Sequence, residues 1–320
     1  MQEVHQALPP LSAAVQTTSV RIERGRALLI AAGAALAGLL LAIVWSFEVA
    51  DRVLGATIAD TALGTSARDL DLSGASIGLG LLFAFAAGMG ATFTACNAVV
   101  FSCVAPLAEA SEQRAGALGR TLGLMALGIL AVTALYGMVG TLMGSSVPIL
   151  SSATLPIGRG YPVRLAQSTV VFVAIGVVLL VWGAVVLGLV RNPLARALEG
   201  RPWLGPLGMG LLLGLLTVGR PFPLFRQAFE HAANTNSPLF GAVSIALQGL
   251  GNIVVMVLLL LLLTYGTGGR FGRWLAANRS RAALITAASL IVGGAFLVAY
   301  WGVRVPSYYE IGWFPHMPYR

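Results

Sequence analysis

Residues 208–223 read Gly208-Met209-Gly210-Leu211-Leu212-Leu213-Gly214-Leu215-Leu216-Thr217-Val218-Gly219-Arg220-Pro221-Phe222-Pro223. The stretch opens as an apolar helix and then, within a few residues, meets a threonine, a glycine, an arginine and two prolines. Proline removes a backbone donor and clashes with the preceding turn, so a helix entering this stretch breaks there. A second stretch opens the same way, Gly78-Leu79-Gly80-Leu81-Leu82-Phe83, and also turns polar: Thr92-Phe93-Thr94-Ala95-Cys96-Asn97, followed by Ser102, Cys103 and Pro106. Two matching apolar helices, each interrupted, decide the reading of the whole chain.

The surrounding composition says what medium those helices occupy. Of 320 residues, 57% are hydrophobic and only 10% charged, against about 25% charged in an average soluble protein; mean hydropathy is +0.85. The excess apolar surface requires lipid. A spanning helix needs about 20 apolar residues. Seven segments free of Asp, Glu, Lys, Arg and His supply them, and trim to helices over 27–47, 76–106, 117–143, 167–190, 205–227, 238–265 and 282–303. The expected fold is therefore an all-α integral membrane protein with seven transmembrane helices.

Direction follows from the basic residues, which are all arginine. With the N-terminus in the cytoplasm, twelve arginines fall on the cytoplasmic side and eight outside, the bias that membrane insertion favours. The formal charge of +8 is spread between spans and forms no face for nucleic acid. The first 26 residues are polar and no cleavage site follows the first apolar run, so no cleavable signal peptide is expected. The expected location is the cell inner (plasma) membrane, multi-pass, with the N-terminus cytoplasmic and the C-terminus outside. Three helices separate the two matched stretches, and an odd number reverses direction, which makes an inverted repeat of three and three helices with the first helix as an added anchor. The organisation is then a cytoplasmic segment 1–26, anchor helix and outer loop 27–75, a six-helix domain 76–303, and an outer aromatic tail 304–320 holding Tyr308, Tyr309, Trp313, Phe314 and Tyr319. That tail reads as an interfacial belt or as a docking strip for a partner in a larger membrane complex.

Few residues in the spans carry chemistry. Cys96 and Cys103, the only cysteines, share one helix face seven residues apart. On a straight helix their Cα atoms lie about 10 Å apart, whereas a disulfide needs them within roughly 7 Å. Either cysteine alone also fits as a small buried hydrophobe. Arg220 costs about 3 kcal/mol or more at a bilayer centre; it either reaches the outer interface or lines a polar cavity, where it would bind an anion or lower the pKa of a thiol. Asn97, Gln248 and Asn252 are further polar groups within spans, suited to interhelical hydrogen bonds or to a substrate path. No clustered metal ligands and no cofactor fingerprint are present, so no metal or cofactor is expected.

The segment Ala87-Gly88-Met89-Gly90-Ala91-Thr92-Phe93-Thr94-Ala95-Cys96 resembles the first helix of the cytochrome c biogenesis transmembrane family, the CcdA/DsbD type. Thr94-Ala95-Cys96 stands where that family has Ser-Pro-Cys, and Cys103-Val104-Ala105-Pro106 keeps its Cys-x-x-Pro spacing. Gly214 to Pro223 resembles the family's second broken helix; Pro223 matches and Arg220 occupies the place of the second cysteine. The resemblance covers roughly 76–303. It implies thiol–disulfide exchange that moves reducing equivalents between thioredoxin-like proteins on the two sides of the bilayer, with Cys96 as the exchanging thiol; Cys103 is the candidate second catalytic thiol, and Thr94, Asn97, Arg220 and Pro223 are candidate substrate or cavity residues. Two other readings stay open: a solute or ion transporter on the same scaffold, and a non-catalytic subunit of a membrane complex.

Overall fold

A computed structural model of the chain describes residues 23–72, 74–93, 115–192, 201, 203–266 and 279–315. The fold is mostly helical. Five helices are long and apolar enough to cross a membrane, and a bent pair adds a sixth. We number α1 Arg24–Val44, α2 Ala56–Leu63, α3 Ile77–Gly90, α4 Ala115–Met143, α5 Val163–Val186, α6 Leu204–Val218, α7 Pro223–Asn234, α8 Pro238–Gly266 and α9 Arg279–Ala299.

Three expected boundaries change. The helix expected over 76–106 keeps regular geometry only to Gly90 and passes into a 3-10 turn, Ala91–Phe93. Its start is as the sequence suggests, with the Ser76 side chain accepting from the Leu79 amide. The span expected over 205–227 is two helices, α6 and α7, set at 87°. Arg220 precedes Pro221 and Phe222 precedes Pro223, and a residue before proline is driven out of the helical region; Phe222 is extended, at φ −70° and ψ 131°. Pro223 then opens α7, where its missing amide costs nothing. Finally, the loop expected over 48–71 is helical through Leu63: a π-helical segment Glu48–Gly55 leads into α2. It packs on α3, with Gly55 and Ala59 against Gly90.

The directions of the helices are fixed by which residues meet. Gly80 lies beside Phe240, Gly88 against the Gln248 carbonyl, and Thr92 against Asn252, so α3 and α8 run the same way. Gly210 meets Met125 and Gly214 meets Val132, which makes α6 parallel to α4. By contrast, Gly137 meets Gly241 while Ile129 meets Gly249, so α4 and α8 are antiparallel. Gly176 meets Val298 while Gly294 meets Leu180, which makes α5 and α9 antiparallel as well. Glycine at these crossings lets backbones touch, the packing that substitutes for a hydrophobic driving force between helices in lipid.

Two apolar cores result. One joins α1, α5, α6 and α9 around Phe172, Phe296 and Trp301, with the Phe172 and Trp301 rings 4.7 Å apart. The other joins α2, α3 and α7 around Phe83, Phe225 and Phe229. At one end of the bundle a small antiparallel hairpin, Thr154–Leu155 with Tyr161–Pro162, holds the segment after α9. Its Arg159 amide donates to the Tyr309 carbonyl at 2.9 Å and its guanidinium pairs with Glu310. Gly158, at φ +57°, turns directly under that same carbonyl, where a side chain would collide. Burial pushes the Tyr161 phenol above its ordinary value, while a bond to Thr169 works the other way. Of the aromatic tail, Phe314 is buried and Trp313 exposed.

The crossing at Gly88 gives a direct check. Any side chain there must displace the Gln248 backbone, and overpacking costs about 1–3 kcal/mol. We expect Gly88→Val to lower the thermal unfolding midpoint of the purified protein, measured by intrinsic fluorescence in detergent. Gly33→Val, on an open face of α1, leaves it unchanged.

Candidate functional site

The two interrupted helices meet at their interruptions. Helix α3 ends at Gly90, where the Ala91 amide closes on the Ala87 and Met89 carbonyls and the helix presents the negative end of its dipole. Arg220, in the break between α6 and α7, donates from Nη1 to the Ala91 carbonyl at 2.9 Å. The two residues are 129 apart in sequence, and Arg220 is 2% exposed. The arginine is thus buried at the joint and does not reach out to an aqueous surface. A hydrogen bond from a charged donor contributes about 1.5–3 kcal/mol, comparable with the lower estimates for placing an arginine in a bilayer.

A second set of bonds ties α8 into the same joint. Thr92 Oγ1 donates to the Asn252 carbonyl at 3.2 Å, and Asn252 Nδ2 reaches Thr217 Oγ1 at 3.4 Å. Thr217 in turn donates to the Leu213 carbonyl one turn back, at 2.9 Å. The end of α3, the end of α6 and the middle of α8 are therefore linked by side-chain hydrogen bonds around one point. All of these groups are buried. Gln248 lies one turn from Asn252 on the same face, as the spacing requires.

Of the expected site residues, Arg220 stands at this joint. Pro223 opens α7, with its side chain exposed. Thr94, Cys96, Asn97 and Cys103 lie outside the described residues. Thr92 and Thr217 were visible in the sequence only as polar residues near each interruption; their pairing through Asn252 depends on α8 lying against both breaks, which no local pattern encodes.

A second buried arginine does similar work elsewhere. Arg304, 5% exposed, donates from Nη1 to the carbonyls of Ala42 and Trp45 at the end of α1, the latter at 2.8 Å. Its Nε reaches Tyr308 Oη at 3.2 Å, and its guanidinium lies 5.4 Å from the Tyr300 ring centre. The sequence places Arg304 among the loop arginines, because it follows directly on the last apolar run. Its role as a helix cap was not legible, since the carbonyls it holds are some 260 residues away.

Compared with known families, curated proteins and solved structures, the chain shows no match.

Removing the guanidinium takes away the Arg220–Ala91 bond, and a hydrogen bond from a charged donor contributes about 1.5–3 kcal/mol. We expect Arg220→Leu to lower the thermal midpoint in detergent. Arg220→Lys, a point charge in place of a planar fork, recovers only part of the loss. An unchanged midpoint in Arg220→Leu would show that the joint contributes nothing to the fold.

Proposed function

We propose that this chain is a thiol-based carrier of reducing equivalents across the plasma membrane, of the CcdA/DsbD type, serving outer thiol partners such as those of cytochrome c maturation. On this reading it crosses seven times, with the N-terminus inside and the C-terminus outside. One anchor helix, α1, precedes an inverted repeat in which α3, α4 and α5 correspond to α6–α7, α8 and α9. The helix directions support the repeat: exchanging the two sets turns the parallel pair α3 and α8 into the parallel pair α6 and α4. It also maps each antiparallel pair, α4 with α8 and α5 with α9, onto itself. Interrupted helices at corresponding positions are where such folds keep their functional site.

The observation that carries the proposal is the bond between Arg220 and Ala91. It joins the two broken helices, the elements on which the resembled family keeps its redox residues. Cys96 follows Ala91 by five residues, so the chain that bears it starts at the carbonyl the guanidinium holds. A neighbouring guanidinium favours thiolate, the attacking form.

The chemistry balances with the two cysteines present. A thioredoxin-like dithiol on the inner side attacks a Cys96–Cys103 disulfide, passes through a mixed disulfide and leaves as its own disulfide, so two thiols remain here. Cys96 thiolate then attacks a disulfide on an outer partner. Cys103 attacks Cys96 in the mixed disulfide, the partner departs as a dithiol, and two electrons have crossed. Closing the pair requires the chain to leave straight-helix geometry between 96 and 103.

A second reading, a solute or ion carrier, draws support from the convergence of Thr92, Thr217, Arg220, Gln248 and Asn252 in the interior. The two separate in reconstituted vesicles. We expect Cys103→Ser to accumulate a mixed disulfide through Cys96 with a thioredoxin-like partner, visible on non-reducing gels and lost with reductant. We expect Cys96→Ser with Cys103→Ser to abolish thiol transfer. Unaltered transfer in the double variant overturns the carrier reading; solute flux that Arg220→Ala abolishes would then replace it.

A further inference from the structure

Ser244, Gln248 and Asn252 follow one another at four-residue steps along α8, a spacing that stacks them on one face. It is not the face that meets α4, where Gly241, Ile245 and Gly249 pack against Gly137, Thr133 and Ile129. Asn252, at the joint, has Thr92 and Thr217 as partners. Ser244 and Gln248 are both 1% exposed, yet Ser244 Oγ and Gln248 Oε1 have no hydrogen-bond partner among the described residues. Each such group left dry costs about 1–3 kcal/mol, and a membrane interior supplies no bulk water to relieve it. Buried polar groups are nearly always satisfied by protein or by ordered water.

The spacing suits water. Side chains four residues apart on a helix stand about 5–6 Å apart at Cβ, and one water with two hydrogen bonds of about 2.8 Å joins polar atoms up to about 5.5 Å apart. A buried water needs two to four polar partners. Ser244 and Gln248 supply two for the first water, and Gln248 and Asn252 supply two for the next.

We propose that Ser244, Gln248 and Asn252 bind a short file of water molecules that hydrates the Arg220–Ala91 joint from the Pro238 end of α8. The file gives the joint a route for protons through the apolar interior. The proposal goes beyond the function argued above and needs neither cysteine, so its test is made without them.

In a Cys96→Ser, Cys103→Ser background in lipid nanodiscs, single Ser244→Cys, Gln248→Cys and Ile245→Cys variants are exposed to aqueous silver ion. Thr154→Cys, on the exposed hairpin, serves as the reactive control. We expect Ser244→Cys and Gln248→Cys to lose their titratable thiol while Ile245→Cys keeps it. If the first two keep their thiols, or if all three lose them alike, the hydrated file is wrong. A second measurement uses the unsubstituted chain, in case a variant fails to fold. Radiolytic labelling in oxygen-18 water is expected to mark the peptide 244–252 and to spare the buried Phe172 and Ile175. An unmarked 244–252 peptide overturns the proposal.

Discussion

A helix that ends inside an apolar medium leaves carbonyls with nothing to bond. That constraint organises the molecule. Helix α3 stops at Gly90, well short of the roughly 20 residues a crossing needs, and carbonyls in the turn that follows it, Ala91–Phe93, draw donors from elsewhere in the protein. Arg220 meets one of them because α6 is itself broken: only a chain that has left the helix at Gly219 can turn its side chain across to Ala91. Each interruption thus answers the other. The proline pair that ends α6 and restarts α7 is what aims the guanidinium.

The same solution recurs at Arg304, which closes the end of α1. An arginine suits both places because its planar fork offers several donors and keeps its charge when buried, while the helix end supplies the opposing dipole. At Arg304 the result is mechanical and ties the first helix to the last. At Arg220 the result is mechanical too, but the joint also gathers Thr92, Thr217 and Asn252 and lies at the start of the segment bearing both cysteines.

Much of this was legible from residue order. Long uncharged runs mark the spanning helices because no other medium accepts them, and the bend at Gly219-Arg220-Pro221-Phe222-Pro223 follows from local backbone chemistry. Helix boundaries shifted by a few residues where apolar sequence continues past the last turn. What stayed hidden depends on the third dimension. The segment 48–63 carries Glu48, Asp51 and Asp60 and reads as a loop, yet it is helical because Gly55 and Ala59 find a glycine, Gly90, to lie against. The capping role of Arg304 and the pairing of Thr92 with Thr217 through Asn252 rest on contacts between distant parts of the chain. Gln248 and Asn252 could be placed on one face by their spacing alone; which helix ends they face could not.

The most direct measurement is an electron cryomicroscopy map of the chain in a lipid nanodisc, enlarged with a rigid antibody fragment, at a resolution that shows side chains. The account predicts density joining the Arg220 guanidinium to the Ala91 carbonyl, with regular helix absent across both 91–93 and 219–222. A continuous helix through either stretch, or another element lodged between the two residues, would contradict it.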